Sequence, residues 1–491
     1  MEKGQYVGID FGTTNTAVVL LFDDEFGRRT IHLGEGGDYP FSSIVAIPKN
    51  GEELLFGREV RERRYSLTET HEIVTSMKSF LGKEIDGIPY SFSVGNKKYY
   101  PKDITRSFLS YVKEYVRQQT GLDINEASFA YPMDFSPQAR RELMQAATEA
   151  GIEVKAFMSE STAAYIANSN ESKAFSRVMV LDWGGGTFDI SILRLDGNNV
   201  QEIAVWGDDF GGDDIDYEFA ERMHARIVVN TDIAGRRFKD MSPSERDHMI
   251  HKCEQAKILI SESNDWEDYS LDVYYYGIYG NQHINISEEQ FNAIVEPLIK
   301  KRVLKAIDAA LDNAGGFTPD SIDAVIVVGG SSNLRSYEYA ILNKFKHAKV
   351  VLPDEAQWAT AIGAALMQIV GGEIKLSESV GVLLSDDTVF PVLPEGHVVG
   401  KSINPITFSL TTDELNAHFI FTDSTKNTVY SKNMIPTKGF LKEKLLLNAE
   451  ITKDQIASIK ISNGNFENEC STIEINKLKF HYDLSNLSDI Y

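Results

Sequence analysis

The chain has 491 residues, a length that predicts two to four folding units and excludes a single small core. Hydrophobic residues make up 42% and charged residues 25%, which is typical of folded globular domains and excludes extensive disorder. With 49 Lys and Arg against 72 Asp and Glu, the net charge of -23 repels phosphate backbones and anionic lipid, so we expect neither nucleic acid nor membrane as a partner. Two cysteines without a CxxC pair, and no apolar leader or membrane-length apolar run, lead us to expect a cytoplasmic protein.

The first predicted element is a β-hairpin with a turn of small residues. Residues 6–10 and 16–22 predict its two strands, and the first strand ends in Asp10. The turn contains Gly12, Thr13 and Thr14. Backbone N–H groups in such a turn can approach an anion closely. Taken alone, an ordinary glycine-rich hairpin would show the same pattern.

Between the hairpins and after them, helices alternate with short apolar strands, which predicts an α/β region over the first 370 residues. Ser136 as N-cap and Gly151 past the end predict a helix over residues 136–151. A capping box of Ser287 and Gln290 begins a long helix that runs towards Gly315 and Gly316.

A second hairpin repeats the pattern of the first in the sequence LDWGGGTFDIS. Its strand ends in Asp182, and its turn contains Gly184, Gly185, Gly186 and Thr187. Two such hairpins predict a duplicated pair of domains that face a cleft. Because Mg²⁺ keeps several waters and takes one or two protein carboxylates, Asp10 and Asp182 beside two anion-binding turns suit this ion. No GxxxxGK[ST] sequence occurs, which excludes a P-loop site.

Beyond residue 372 the pattern changes, and no long helix is predicted. Short alternating segments indicate an all-β domain. Near the end, Ile473 and Ile475 alternate on one face, and Phe480 and Tyr482 do so after a slip of one residue. We interpret this slip as a β-bulge in one strand.

At this point the chain resembles a known family. Residues 5–22, 176–193 and 325–333 resemble the phosphate-1, phosphate-2 and adenosine motifs of the actin, sugar-kinase and heat-shock ATPase superfamily. Within it, four sequences resemble the heat shock protein 70 family of DnaK-type chaperones: VLDWGGGTFDISI, SESTAAYI, FGGDDID and CEQAKILIS.

The resemblance implies a fold and a division into domains. Residues 1–372 would form a duplicated actin-like (ribonuclease H-like) α/β ATPase of two lobes, and residues 373–379 a linker. Residues 380–491 would form a small all-β, β-sandwich-like domain that binds extended polypeptide. Because the family continues into a helical lid where this chain stops at Tyr491, we expect a truncated form without that lid.

The resemblance also implies ATP or ADP with Mg²⁺ as cofactors and assigns the site residues. The catalytic residues would be Asp10, Lys78, Glu160, Asp182 and Thr187, with Asp10 and Asp182 also binding the metal ion. The nucleotide would be bound by Gly12, Thr13, Thr14, Gly184, Gly185, Gly186, Thr187, Glu254, Lys257, Ser261, Gly329, Gly330, Ser331 and Asp354. Asp189 matches a further acid of the catalytic cluster.

Without the resemblance, several of these residues have ordinary structural interpretations. Lys78 could be a lysine of an amphipathic helix, and Glu160 a first-turn acid favoured by the helix dipole. The spacing of Glu254, Lys257 and Ser261 also fits a solvated polar stripe.

The chain departs from the family pattern at two places that border the expected adenine site. Asn333 stands where the family usually has an arginine that stacks on adenine, and residues 357–359 resemble an insertion. These departures make nucleotide affinity harder to predict than the geometry of hydrolysis.

The sequence favours an ATP-hydrolysing, chaperone-like protein that binds unfolded polypeptide. Two alternatives stay open. One is a nucleotide-dependent scaffold or binding protein without hydrolysis. The other is a small-molecule kinase of the same superfamily, which would need an acceptor pocket and a general base.

Overall fold

The computed structural model of the chain describes residues 4–487, apart from residues 26, 37–38, 52, 133–134, 232, 234, 263–267 and 464–469. The chain divides into two units. The first consists of residues 1–195 and 203–369, and the second of residues 196–202 and 370–491.

The regular elements up to residue 370 alternate between strands and helices. The strands are β1 (Gln5–Phe11), β2 (Asn15–Asp24), β3 (Gly27–Leu33), β4 (Phe41–Ser42), β5 (Val45–Pro48), β6 (Leu55–Phe56), β7 (His71–Val74), β8 (Glu84–Ile85), β9 (Ile88–Pro89), β10 (Phe92–Val94), β11 (Lys97–Tyr99), β12 (Glu126–Tyr131), β13 (Glu153–Ser159), β14 (Arg177–Trp183), β15 (Phe188–Asp196), β16 (Asn199–Asp208), β17 (Asp268–Val273), β18 (Gln282–Ser287), β19 (Ala324–Val328) and β20 (Lys349–Val351). The helices are α1 (Gly57–Leu67), α2 (Pro101–Thr120), α3 (Pro137–Glu149), α4 (Glu160–Ala167), α5 (Ser169–Ser172), α6 (Gly212–Asn230), α7 (Pro243–Glu262), α8 (Glu288–Leu298), α9 (Leu304–Asn313), α10 (Arg335–Lys344) and α11 (Ala359–Val370).

The two main sheets of the first unit have the same strand order. One runs β13-β12-β1-β2-β3, with β4 paired to β2, and the other runs β20-β19-β14-β15-β16 within this unit. In each sheet the strand that ends near the repeated aspartate is antiparallel to the next strand and parallel to a later one. This equivalence agrees with the duplication that the two Asp-x-Gly sequences predict.

Each sheet packs its helices around a hydrophobic core of its own. Phe108 and Phe129 are fully buried in the first core, and Trp183 and Phe219 are fully buried in the second. All five residues of β19 are buried, as expected for a parallel strand covered on both faces. The α/β region therefore contains two lobes.

Local sequence signals fix several helix ends as predicted. The side chain of Ser136 accepts a hydrogen bond from the N–H of Ala139 at the start of α3. Ser287 and Gln290 form a reciprocal capping box at the start of α8. The long helix predicted from there continues through a π-helical turn at Ile299–Val303, which follows Pro297, a residue without an N–H donor.

The regular elements described after residue 370 are all strands, in agreement with the predicted all-β domain. They are β21 (Glu373–Leu376), β22 (Val380–Leu383), β23 (Val389–Leu393), β24 (Ile406–Ser409), β25 (Asn416–Thr422), β26 (Val429–Pro436), β27 (Lys444–Ile451), β28 (Ala457–Ser462), β29 (Ser471–Ile475) and β30 (Phe480–Asp483). Two four-stranded antiparallel sheets, β23-β22-β25-β26 and β24-β27-β28-β29, share one hydrophobic core.

Two expectations for this region differ from the structure. The predicted linker over residues 373–379 contains strand β21, which pairs with β30 through backbone hydrogen bonds. The predicted β-bulge is instead the break between β29 and β30, which pair with different strands. The slip of one residue thus arises because two separate strands orient their apolar side chains independently.

None of the helices in the described parts of the chain combines the length and the apolar character that a bilayer-crossing segment needs.

The core of the second unit provides a test of its stability. Phe421 is fully buried there beside Phe419, with 6.3 Å between ring centroids. Phe421→Ala should lower the free energy of unfolding of this unit by about 3–5 kcal/mol through lost burial and a residual cavity. Phe440, which is 52% exposed, offers the control Phe440→Ala, with an expected change within about 0.5 kcal/mol. Urea unfolding of the full chain measures both, and equal losses would contradict this description of the core.

Candidate functional site

A cavity of about 600 Å³ in the first unit collects the residues that the sequence assigns to catalysis and nucleotide binding. The predicted residues that line it are Asp10, Gly12, Thr13, Thr14, Lys78, Glu160, Asp182, Gly184, Gly185, Gly186, Thr187, Glu254, Lys257, Ser261, Gly329, Gly330 and Ser331. Asp354 is not among the lining residues. It lies on an exposed turn that directs Gln357 to the cavity instead, so the structure does not support its predicted contact.

The two predicted anion-binding turns meet at the cavity, where the side chains of Thr13 and Thr14 lie against the glycines of the second turn. A Cβ on Gly185 would overlap the side chain of Thr14, and a Cβ on Gly211 would overlap the carbonyl of Gly185. The N–H of Asp213 donates to the Gly185 carbonyl at 2.7 Å, which ties the second turn to the start of α6. The hydroxyl of Thr14 donates to the carboxylate of Asp213 at 3.1 Å.

At one end of the cavity, a lysine lies within a cluster of carboxylates. Lys78 Nζ donates to Glu160 Oε1 at 2.7 Å, and their side chains are only 7% and 10% exposed. Burial opposes the charge of Lys78, but Glu160 and Asp10 outweigh it and raise its pKa. Burial, followed by the charge of Glu160, raises the pKa of Asp10 to about 7 and raises that of Asp182 well above its usual range.

No group of three or more acidic, histidine or cysteine side chains among the described residues is placed to hold a metal ion by itself, but this cluster offers carboxylate oxygens to a hydrated cation. Asp10 Oδ1 is buried and has no hydrogen-bond partner among the described residues. An unpaired buried carboxylate oxygen is costly unless a cation satisfies it. Carboxylates at the ends of two hairpins fit Mg²⁺, which prefers oxygen ligands and completes its shell with water and phosphate.

Two hydroxyl groups connect the second turn to its surroundings. Thr187 Oγ1 donates to Asp189 Oδ2 at 2.9 Å, so Asp189 fixes the orientation of this threonine. Ser331 Oγ donates to the Gly184 carbonyl at 2.7 Å and joins the turn that follows β19 to the glycine-rich turn.

A second group of charges lies where α1, α6 and α7 meet the cavity. Arg61 on α1 forms a buried ion pair with Glu254 on α7. Lys257 Nζ donates to Asp216 Oδ2 at 2.7 Å and to the Gly212 carbonyl at 2.9 Å. Burial acts to raise the pKa of Glu254, but the charge of Arg61 outweighs it and lowers this pKa. For Asp216 burial is the larger effect, and it raises the pKa to about 7 although the charge of Lys257 acts to lower it.

Of the positions that depart from the family pattern, two line the cavity and a third is buried away from it. Asn333 and Gln357 line the cavity. Trp358 does not, because it is 2% exposed and stacks on His32 with 4.5 Å between ring centroids. Trp358 therefore does not take the place of the arginine that the family pattern puts at the position of Asn333.

Sequence analysis missed three of the charged residues at the site. Arg61, Asp213 and Asp216 lie far from their partners in the sequence. Only the acidic stretch FGGDDID, which follows the second hairpin, could have indicated Asp213 and Asp216.

A family model described as Hsp70 protein matches residues 6–414. The match covers both hairpins, the cavity and the strands of the second unit as far as β24.

The buried pair of Arg61 and Glu254 leads to a stability prediction. Arg61→Met leaves the Glu254 carboxylate buried without its partner and should lower the free energy of unfolding by about 3–5 kcal/mol. The double variant Arg61→Met with Glu254→Met should recover most of this loss, because no unpaired charge remains. Urea unfolding without nucleotide measures both.

The matched control lies on the same helix. Arg63 forms an exposed ion pair with Glu59, so Arg63→Met should change the free energy of unfolding by less than about 0.5 kcal/mol. If Arg61→Met costs no more than this control, the pair does not stabilise the unit.

Proposed function

The chain belongs to the Hsp70 protein family, and from this premise we propose that it is an ATP-hydrolysing, chaperone-like protein that binds extended or unfolded polypeptide. Family membership supports a chaperone-type, ATP-binding function in general. In the proposal, the first unit is a duplicated actin-like ATPase that binds ATP or ADP with Mg²⁺. The second unit is a β-sandwich-like domain that binds peptide. Its cytoplasmic location stays a prediction.

The observation that carries the proposal is the buried pair of Lys78 and Glu160 beside Asp10 and Asp182. Mg²⁺ held by Asp10 and Asp182 would neutralise charge on the phosphate oxygens. Lys78 would stabilise the charge that develops on the transferred phosphoryl group, and Glu160 keeps its ammonium group in place.

The remaining residues of the site would bind the nucleotide and orient the reacting groups. Backbone N–H groups of the turns at Gly12–Thr14 and Gly184–Gly186 would hold the phosphates from two sides. The Thr187 hydroxyl, oriented by Asp189, would contact the phosphoryl group or the attacking water. Glu254, Lys257 and Ser261 would bind the ribose and base.

Phosphate release from purified protein tests the proposal against both alternatives. Release with ATP and Mg²⁺ alone supports hydrolysis. Release or transfer that requires an added small-molecule acceptor would indicate a kinase. ADP and ATP binding without release would indicate a scaffold that does not hydrolyse ATP.

Lys78→Ala separates catalysis from binding. Lys78 lies at the carboxylate end of the cavity, so its loss should remove roughly 2–4 kcal/mol of transition-state stabilisation. We expect single-turnover hydrolysis to fall about tenfold or more while ATP binding survives. Lys98→Ala, at an exposed position on β11, is the control and should hydrolyse ATP at the rate of the unaltered chain. An unchanged rate in Lys78→Ala would contradict the assignment.

The second unit presents apolar side chains that could contact peptide. Leu415 and Phe440 are 70% and 52% exposed, and they lie on loops joined by a hydrogen bond from Thr437 N to the Leu415 carbonyl at 2.9 Å. If these side chains become buried on binding, Leu415→Ser with Phe440→Ser should weaken binding of a labelled apolar peptide by about tenfold.

Fluorescence anisotropy measures this affinity. Val429→Ser, at the opposite end of β26 and also exposed, is the control and should bind as the unaltered chain does. Equal affinities for all three proteins would place any peptide site elsewhere.

A further inference from the structure

The short segment that carries Lys78 is attached to helix α3. Lys78 begins a one-turn 3-10 helix, Lys78–Phe80, and the chain then turns at Gly82, where φ is 67°. The N–H of Gly82 donates to Glu142 Oε2 at 2.9 Å. The side-chain amide of Gln138 donates to Glu142 Oε1 at 3.1 Å, so both carboxylate oxygens are engaged.

The same helix packs against this segment at its N-terminal end. A Cβ on Gly82 would overlap the N–H of Ala139 and the side chain of Ser136, so the backbone of the turn lies directly on the first turn of α3. Phe135, which precedes the helix, has its ring centroid 6.0 Å from Lys78 Nζ. Helix α3 therefore contacts the turn, and the residue before its N-cap lies near the ammonium group.

A charged acceptor strengthens the contact at Gly82. Hydrogen bonds from a backbone N–H to a carboxylate are stronger than those to neutral acceptors. Gln138 one turn earlier on α3 orients the Glu142 side chain towards the turn. Glu142 itself does not line the cavity, so it would not contact a bound nucleotide directly.

From this arrangement we infer that Glu142 is a positioning residue for Lys78. It fixes the 78–82 segment on α3 and thereby keeps the Lys78 ammonium group at Glu160. The effect on hydrolysis rests on the function proposed above, whereas the effect on Lys78 itself does not. Small displacements of a group that acts on a reacting phosphoryl reduce the rate without preventing binding.

Three variants of the full chain test this inference. Glu142→Ala removes the acceptor, and Glu142→Gln keeps an oxygen that can accept from Gly82. Glu149→Ala is the control, because Glu149 lies on the same helix and pairs with Lys102 instead. The two main measurements are the rate at which acetic anhydride acetylates Lys78, followed by peptide mass spectrometry, and single-turnover ATP hydrolysis. ADP affinity and melting temperature are measured beside them.

For Glu142→Ala we expect Lys78 to be acetylated at least about three times faster, because the 78–82 segment then opens more easily. Hydrolysis should fall by about three- to tenfold, while ADP affinity stays within about twofold. Glu149→Ala should resemble the unaltered chain in both measurements, and Glu142→Gln, which keeps an acceptor oxygen but loses the charge, should lie between the unaltered chain and Glu142→Ala.

Unchanged acetylation of Lys78 in Glu142→Ala would overturn the inference, and so would a Glu142→Gln variant as defective as Glu142→Ala. A lower melting temperature with both other measurements unchanged would show that Glu142 only stabilises α3, which also overturns it. If the unaltered chain does not hydrolyse ATP but acetylation changes as expected, the proposed function fails and the positioning role of Glu142 stands.

Discussion

The close approach of backbone at Gly185 and Gly211 determines what the cavity can hold. No side chain fits between the second glycine-rich turn, the start of α6 and Thr14 of the first turn. N–H and carbonyl groups therefore meet directly, as in the bond from Asp213 to Gly185. Both turns line the cavity beside this contact, and the backbone dipoles of such turns suit phosphate.

Carboxylates outnumber cationic groups beside this backbone, and this excess of negative charge opposes the binding of an anionic ligand. Asp10, Glu160 and Asp182 surround a single cation, Lys78, and the raised pKa of Asp10 reflects their burial and mutual repulsion. A phosphate chain would add further negative charge to this cluster. In the proposed function a nucleotide would bind together with a cation, for which Asp10 Oδ1, without a partner among the described residues, offers a ligand.

The parts of the site that could be predicted from the sequence are those encoded within one short segment. An acid at a strand end followed by glycine and threonine identifies each hairpin, and both hairpins line the cavity. Arg61 and Glu254 come from helices far apart in the chain, so no local pattern reveals their pairing. The position of Asp354 outside the cavity lining has a related cause, because the direction of a side chain on an irregular turn depends on packing. Its role in nucleotide binding stays a prediction. The strand within the predicted linker could not be foreseen, because its partner, β30, is distant in the sequence.

The second unit is assembled from two distant stretches, and this has a consequence for its synthesis. Asn199 pairs with Asp483, so one strand segment is made long before the segment with which it pairs. On the ribosome, residues 196–202 emerge long before their neighbours exist, and loop closure over such a separation is slow. The nascent chain thus carries an unmatched strand edge until residues 481–483 are made, a state in which pairing with another chain competes with correct folding.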